Sequence, residues 1–195
     1  MTTTETPRSY RMGKRLEDVE ETRRRIVEAT VELHGSVGPA ATTISAVAER
    51  AGVQRSTVYR HFEDEHALFG ACTSHWLARN PWPRTQPWKD ESDPSQRLRF
   101  GLTELYGYYA RNRDMMANSY RDLAVMPPFV GELMRAFVSE AENALGSGWA
   151  DGDRRAQLAI AHAVDFRSWI VLDEQGASPD EAADLMASMV ACLGI

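Results

Sequence analysis

Apolar side chains recur along this chain at spacings of three and four residues, and apolar–polar alternation over strand lengths is absent, so the pattern predicts an all-α protein. A first helix is expected from Glu17 to His34. Its opening turns carry Glu17, Asp18, Glu20 and Glu21, its apolar stripe is Ile26, Ala29, Thr30 and Leu33, and Gly35 and Gly38-Pro39 end it. A short helix from Thr43 to Arg50 follows, then the tight turn Ala51-Gly52-Val53 and a third helix from Gln54 to about His61. Asp64 caps a fourth helix that stops before Asn80-Pro81. Residues 81–93, with three prolines, Trp82 and Trp88, read as a loop with apolar content to bury. Asp93-Pro94 opens a fifth helix, and a sixth spans Arg113 to Ala124. A seventh runs from Pro127-Pro128 to Gly146, and a long eighth from Asp151 to Gln175. The capping box Ser178-Pro179-Asp180-Glu181 launches a ninth, ending at Cys192.

Composition narrows the class. The chain is 195 residues long, 43% hydrophobic and 26% charged, which fits a soluble chain with a real core. Cys72 and Cys192 are its two cysteines, too few for a disulfide framework or a four-thiolate zinc site. No stretch approaches the roughly 20 apolar residues of a membrane span, and Met1 to Arg15 is polar without an apolar signal core, so a cytoplasmic location is expected. The net charge of −6 argues at first against a nucleic-acid partner. Its distribution changes that reading. Residues 1–62 carry ten basic and eight acidic side chains, whereas the remainder carries twelve and twenty. Residues 1–16 read as a flexible basic arm.

The layout from Thr43 to Phe62 is that of a helix-turn-helix, two short helices around a glycine turn. Ile44, Val47, Ala48, Val53 and Val58 would pack the pair, leaving the outer face of the second helix for a DNA major groove. That face holds Gln54, Arg55, Ser56, Thr57, Tyr59, Arg60 and His61, nearly all hydrogen-bonding side chains. Arginine can bind guanine O6 and N7 with two bonds, and hydroxyls and imidazole suit phosphate oxygens. An ordinary αα-hairpin with a polar outer face has the same spacing, so spacing alone leaves both readings standing.

The residues themselves carry a resemblance. Thr42-Thr43-Ile44, Val47-Ala48-Glu49-Arg50-Ala51-Gly52-Val53 and Ser56-Thr57-Val58-Tyr59-Arg60-His61-Phe62 closely resemble the DNA-binding domain of TetR-family bacterial transcriptional regulators, over about Glu20 to Leu68. The resemblance implies a helix-turn-helix domain over residues 17–66 and a larger helical effector-binding and dimerisation domain over residues 67–195. It implies that Tyr59, Thr57 and His61 hold phosphates, that Phe62 closes the small core, and that Arg55, Ser56 and Arg60 face bases. Thr43 would offer a hydroxyl and a backbone N–H to a phosphate at the start of the second helix. The sequence departs from the family twice. Glu65 stands where a lysine often touches the DNA backbone, and Ser45 where a basic residue often helps to read bases.

By the same resemblance, the second part would bind an effector among its middle helices. It holds all five tryptophans (Trp76, Trp82, Trp88, Trp149 and Trp169) together with tyrosines, phenylalanines and methionines able to line an adaptable apolar cavity, though such side chains equally build an ordinary core. Trp82 and Trp88 would sit near its mouth, Met116, Phe166 and Trp169 in its wall, and Tyr109, Tyr120, His162 and Asp165 would supply polar contacts to a lipophilic small molecule. The eighth and ninth helices are apolar on more than one face. A four-helix interface between two copies, using Ile160, Val164, Arg167, Val171, Leu185, Met186 and Met189, accounts for this and makes the protein a homodimer on a palindromic double-stranded DNA operator. The expected function is a ligand-responsive repressor. The competing class is a helical ligand carrier or enzyme that has kept the fold without operator binding, but no nucleophile elbow, P-loop or Glu-x-x-His pair supports it, and no catalytic residue, metal or cofactor is expected. Cys72 and His75 are a lone pair of potential metal ligands, a thiol redox sensor at Cys72 or Cys192 is a further alternative, and an activator or a regulator that acts without a ligand fits the same sequence features.

Overall fold

A computed structural model describes residues 7–148 and 153–192, with side chains from residue 13 onward. The first six residues of the expected arm, Trp149 and the expected start of the eighth helix at Asp151 lie outside the described residues. Among those described there is no strand, and eleven α-helices form two compact units that divide between Arg79 and Asn80.

The first unit holds α1 (Pro7–Ser36), α2 (Ile44–Ala51), α3 (Arg55–His61) and α4 (Glu65–Arg79). The expected stripe of α1, Ile26, Ala29, Thr30 and Leu33, is buried, and Ile26, Ala29 and Leu33 pack with Val47, Ala48, Ala51, Val58, Phe62, Leu68 and Cys72 into one core. Helix α1 starts ten residues before the expected Glu17, so residues 7–16 of the expected arm are helical. Proline fits the first helical turn, and Gly13 weakens a helix interior without ending it. The turns after α1 follow local chemistry. Thr43 accepts a hydrogen bond from the Ala46 N–H at 3.1 Å and so caps α2. Gly52 ends α2 at φ +65°, where a Cβ would meet the Arg25 guanidinium at 2.8 Å. The Asp64 carboxylate accepts from the Ala67 N–H at 2.7 Å and caps α4.

The second unit comprises α5 (Gln86–Lys89), α6 (Pro94–Arg111), α7 (Arg113–Asp122), α8 (Pro128–Gly146), α9 (Arg154–Val164), α10 (Phe166–Glu174) and α11 (Pro179–Ala191). Helix α6 is central, packing against α5 and α7–α11 and burying Leu98, Leu102, Leu105, Tyr106 and Tyr109. The segment expected as a loop contains α5, which drives Trp88 into the core. Its indole N–H donates to Glu104 at 2.6 Å, and its ring lies where a Cβ on Gly101 would approach to 3.0 Å. The Ser178–Glu181 capping box is present at the start of α11.

The expected single helix over residues 151–175 is two helices broken at Asp165, whose backbone is extended at φ −67° and ψ 127°. The break deprives the Ala163 and Val164 carbonyls of the N–H groups that a continuous helix would bring to them. Two buried tyrosines three residues apart on α6 supply the missing donors: Tyr106 Oη donates to the Ala163 carbonyl at 2.6 Å and Tyr109 Oη to the Val164 carbonyl at 2.8 Å. On the other side of the break, the Asp165 carboxylate accepts from the Arg167 N–H at 2.7 Å and pairs with the Arg167 guanidinium at 2.6 Å.

Candidate nucleic-acid interface

Val47, Ala48 and Val58 are buried between α1, α2 and α3, with Ile44 and Val53 packed against them, so a seven-residue helix is held by its apolar side and keeps its polar side outward. On α3 and the residue before it, Gln54, Arg55, Ser56, Tyr59 and Arg60 are exposed, whereas Thr57 and His61 are half-buried. Thr43 and Ser45, at the start of α2, are also exposed. Each residue expected to touch DNA therefore presents at least part of its side chain to solvent.

The face is partly organised in advance. The Arg55 guanidinium donates to Tyr59 Oη at 3.4 Å and lies 5.7 Å from the centre of its ring, one helical turn away. This pair sits at the exposed surface, so the arginine can exchange the phenol for a base edge at little cost. Burial, with help from the Arg60 and Arg23 charges, lowers the His61 pKa below its ordinary value. At neutral pH His61 thus acts as a hydrogen-bonding ring rather than a cation. Glu65 is the first residue of α4 and is exposed, where its charge suits the helix dipole but opposes a phosphate.

Two residues outside the expected set hold this surface in place. Arg23 on α1 donates to the His61 carbonyl at 2.9 Å, at the end of α3, with its guanidinium 4.1 Å above the Phe62 ring. Arg25 donates to the carbonyls of Ala51 and, at 3.3 Å, Gly52 at the end of α2. Both satisfy helix-terminal acceptors and complement the negative end of a helix dipole. The sequence signal was available: Arg23 and Arg25 stand three and four residues before Ile26 and Ala29, at the margins of the buried stripe. Arg24 instead pairs with Glu21 and Glu28, each at 2.7 Å, and Arg50 with Glu32 at 3.0 Å. Among the described residues, Arg23, Arg24, Arg25 and Arg50 are thus engaged within the unit away from the outer face of α3, where Arg55 and Arg60 are the exposed arginines.

In the second unit the expected ligand residues separate. Trp88, Tyr109, Met116, Phe166 and Trp169 are at most 3% exposed and lie in the interior of the unit. Tyr109, Tyr120, Phe166 and Trp169 do meet in one aromatic cluster, with Tyr120 stacked on Phe166 at 5.1 Å and Tyr109 edge-on to Phe166 at 5.3 Å. Burial pushes the Tyr120 hydroxyl up to about 12. Trp82 is half-buried and lines a groove beside α8. His162 and Asp165 line a different groove of about 610 Å³ together with Arg167, Val171, Leu185, Met186 and Met189. Two of the expected polar ligand contacts, His162 and Asp165, and most of the expected interface residues therefore share one surface. Ile160 and Val164, also expected at the interface, point into their own chain's core at 2% and 0% exposure. Leu158, 53% exposed, is apolar surface on α9 that the sequence reading missed.

Among the described residues, no cluster of three or more His, Cys, Asp and Glu side chains could hold a metal ion, and no helix is long and apolar enough to cross a membrane. Cys72 is buried, with Sγ 3.7 Å from His34 Nδ1, and burial pushes its thiol up to about 12, away from the thiolate that oxidation requires.

Comparison with known proteins agrees with this arrangement. Residues 26–72 match the sequence model of the family described as bacterial regulatory proteins, tetR family. No curated protein matches the chain. Among solved structures, a TetR-like transcriptional regulator from Rhodococcus sp. RHA1 is similar with a TM-score of 0.64 and 18% identity, covering 87% of this chain and 93% of its own. NalD, the secondary repressor of the MexAB-OprM multidrug efflux pump in Pseudomonas aeruginosa, is similar with a TM-score of 0.60 and 22% identity over 89% and 95% of the two chains. The TetR family transcriptional regulator PfmR from Thermus thermophilus gives a TM-score of 0.58 and 17% identity over 86% and 95%.

Proposed function

We propose that this chain, whose residues 26–72 match the tetR family of bacterial regulatory proteins and whose all-helical fold is similar to that of solved regulators, is a cytoplasmic, sequence-specific transcriptional repressor that binds a palindromic operator as a homodimer and is released by a small molecule. The observation that carries the reading is the exposed row Gln54, Arg55, Ser56, Tyr59 and Arg60 on a helix whose far end is tied to α1 by Arg23. Arg55 and Arg60 read base edges, while Thr43, Thr57, Tyr59 and His61 contact phosphates, with Ser45 beside them on the first turn of α2. No catalytic role is assigned to any residue.

Dimerisation is supported by the exposed apolar side chains Leu158, Val171, Leu185 and Met189, on the last three helices. A twofold axis through such a face presents the two copies of α3 to two half-sites, which is why the operator is expected to be palindromic. Release requires an effector that binds the DNA-competent and DNA-incompetent dimers with different affinity; equal affinity shifts nothing. Electrophoretic mobility shift against the DNA upstream of the protein's own gene tests the reading. A saturable, sequence-specific complex at moderate salt that random DNA fails to compete is expected. Equal affinity for both DNAs overturns it.

A further inference from the structure

We infer that the groove between residues 82–89 and α8 is a binding site for a small organic anion with a flat or extended apolar body. Helix α8 contributes Leu133, Ala136, Phe137 and Glu140, whose spacing puts them on one helical face. Trp82 lies over that face with its ring stacked on Phe137 at 4.4 Å and an interplanar angle of 15°. Together with Trp82, Pro83, Arg84, Thr85, Gln86 and Lys89, these side chains line an open groove of about 530 Å³, within the range of small-molecule sites.

The chemistry of the lining selects the ligand. Its floor is apolar: the Trp82–Phe137 stack, Ala136, and Leu133, which is 37% exposed. Its charged groups are Arg84, Lys89 and Glu140. The Glu140 carboxylate accepts the Thr85 hydroxyl and so holds the segment to α8, and the two cations outnumber its single negative charge. Arg84 and Lys89 are exposed and form no ion pair among the described residues. A guanidinium fork and an ammonium beside an aromatic floor complement a carboxylate or sulfonate on a hydrophobic body. A neutral apolar molecule would gain the floor and lose both cations. That this anion also releases DNA rests on the effector reading above. It is the separate second half of the inference.

The test uses the full chain and two fluorescent probes with similar ring systems, the anion anilinonaphthalenesulfonate and the neutral phenylnaphthylamine. Wild-type protein is expected to bind the anion saturably and more tightly than the neutral probe, with displacement by decanoate and not by decanol. Ala136→Trp, which fills the groove from an exposed position, is expected to weaken both probes at least tenfold. The double variant Arg84→Gln/Lys89→Gln is expected to weaken the anion about tenfold and the neutral probe less than twofold, as removal of two exposed charge contacts allows. Unchanged binding to Ala136→Trp, or equal losses of both probes in the double variant, overturns the site. A mobility shift in decanoate then addresses release. Loss of the DNA complex in wild type but not in Ala136→Trp supports the coupling, whereas displacement of the probe with the DNA complex intact overturns the effector role and leaves the site standing.

Discussion

Replacing Tyr106 or Tyr109 by phenylalanine isolates one hydroxyl at the break between α9 and α10. Each substitution keeps the ring, including the Tyr109 edge contact with Phe166 at 5.3 Å, and removes a single donor. What remains is a buried carbonyl, Ala163 or Val164, with no helix N–H to replace the phenol because Asp165 has turned the chain away. A buried acceptor stripped of its partner costs about 1–3 kcal/mol, against roughly 1 kcal/mol for the net worth of an ordinary hydrogen bond. For a chain of this length that lowers a thermal midpoint by roughly 2–4 °C per kcal/mol. Urea unfolding at fixed protein concentration, followed by tryptophan fluorescence, measures it; the concentration is held because association adds its own stabilisation. The midpoint should fall with the slope unchanged. If both variants unfold within about 0.3 kcal/mol of wild type, below the expected range, the hydroxyls do not sustain the break and the reasoning is wrong.

Further outcomes follow from the same geometry. Arg55→Ala should relax base preference by about 1–3 kcal/mol, whereas Thr57→Ala and Tyr59→Phe should weaken specific and random DNA alike; competition mobility shifts separate these, and equal losses for every variant would refute the assigned roles. Gly52→Ala should destabilise the first unit by more than about 1 kcal/mol, because alanine is strained at φ +65° and its Cβ meets Arg25; a neutral effect in thermal unfolding would count against the turn geometry. At Asp165 burial raises the pKa, but the Arg167 guanidinium, backbone N–H and charge outweigh it and leave the carboxyl lowered, while the Ser178 bonds lower Glu181. Both lowered groups contribute stability that is present above the ordinary carboxylate range and lost as pH falls through their folded values, so Asp165→Asn should flatten the acid limb of a stability profile below about pH 4. Thiol labelling of the native protein should modify exposed Cys192 and spare buried Cys72, with DNA binding unchanged after mild peroxide; rapid labelling of Cys72 would revive a redox role.

What short-range chemistry decides was legible in the order of residues alone. Thr43, Gly52, Asp93-Pro94 and Ser178–Glu181 mark helix ends within three or four residues of themselves, and the structure forms the caps they predict. The polar row of α3 was legible for the same reason, since seven neighbouring residues define it. Whatever depends on distant partners had to await the packed chain. Residues 151–175 read as one helix because their apolar spacing never lapses, and the break at Asp165 becomes tolerable only when Tyr106 and Tyr109, more than fifty residues away in sequence, arrive with hydroxyls for the freed carbonyls. Trp82 and Trp88 share one proline-rich segment, yet a turn of helix sends Trp88 onto Gly101 and leaves Trp82 on α8. Ile160 and Val164 look like interface residues in a list of apolar positions, and only packing shows which side of a doubly apolar helix faces its own core. Periodicity specifies that a helix has an apolar face. Which neighbour covers that face is set by contacts that no local pattern encodes.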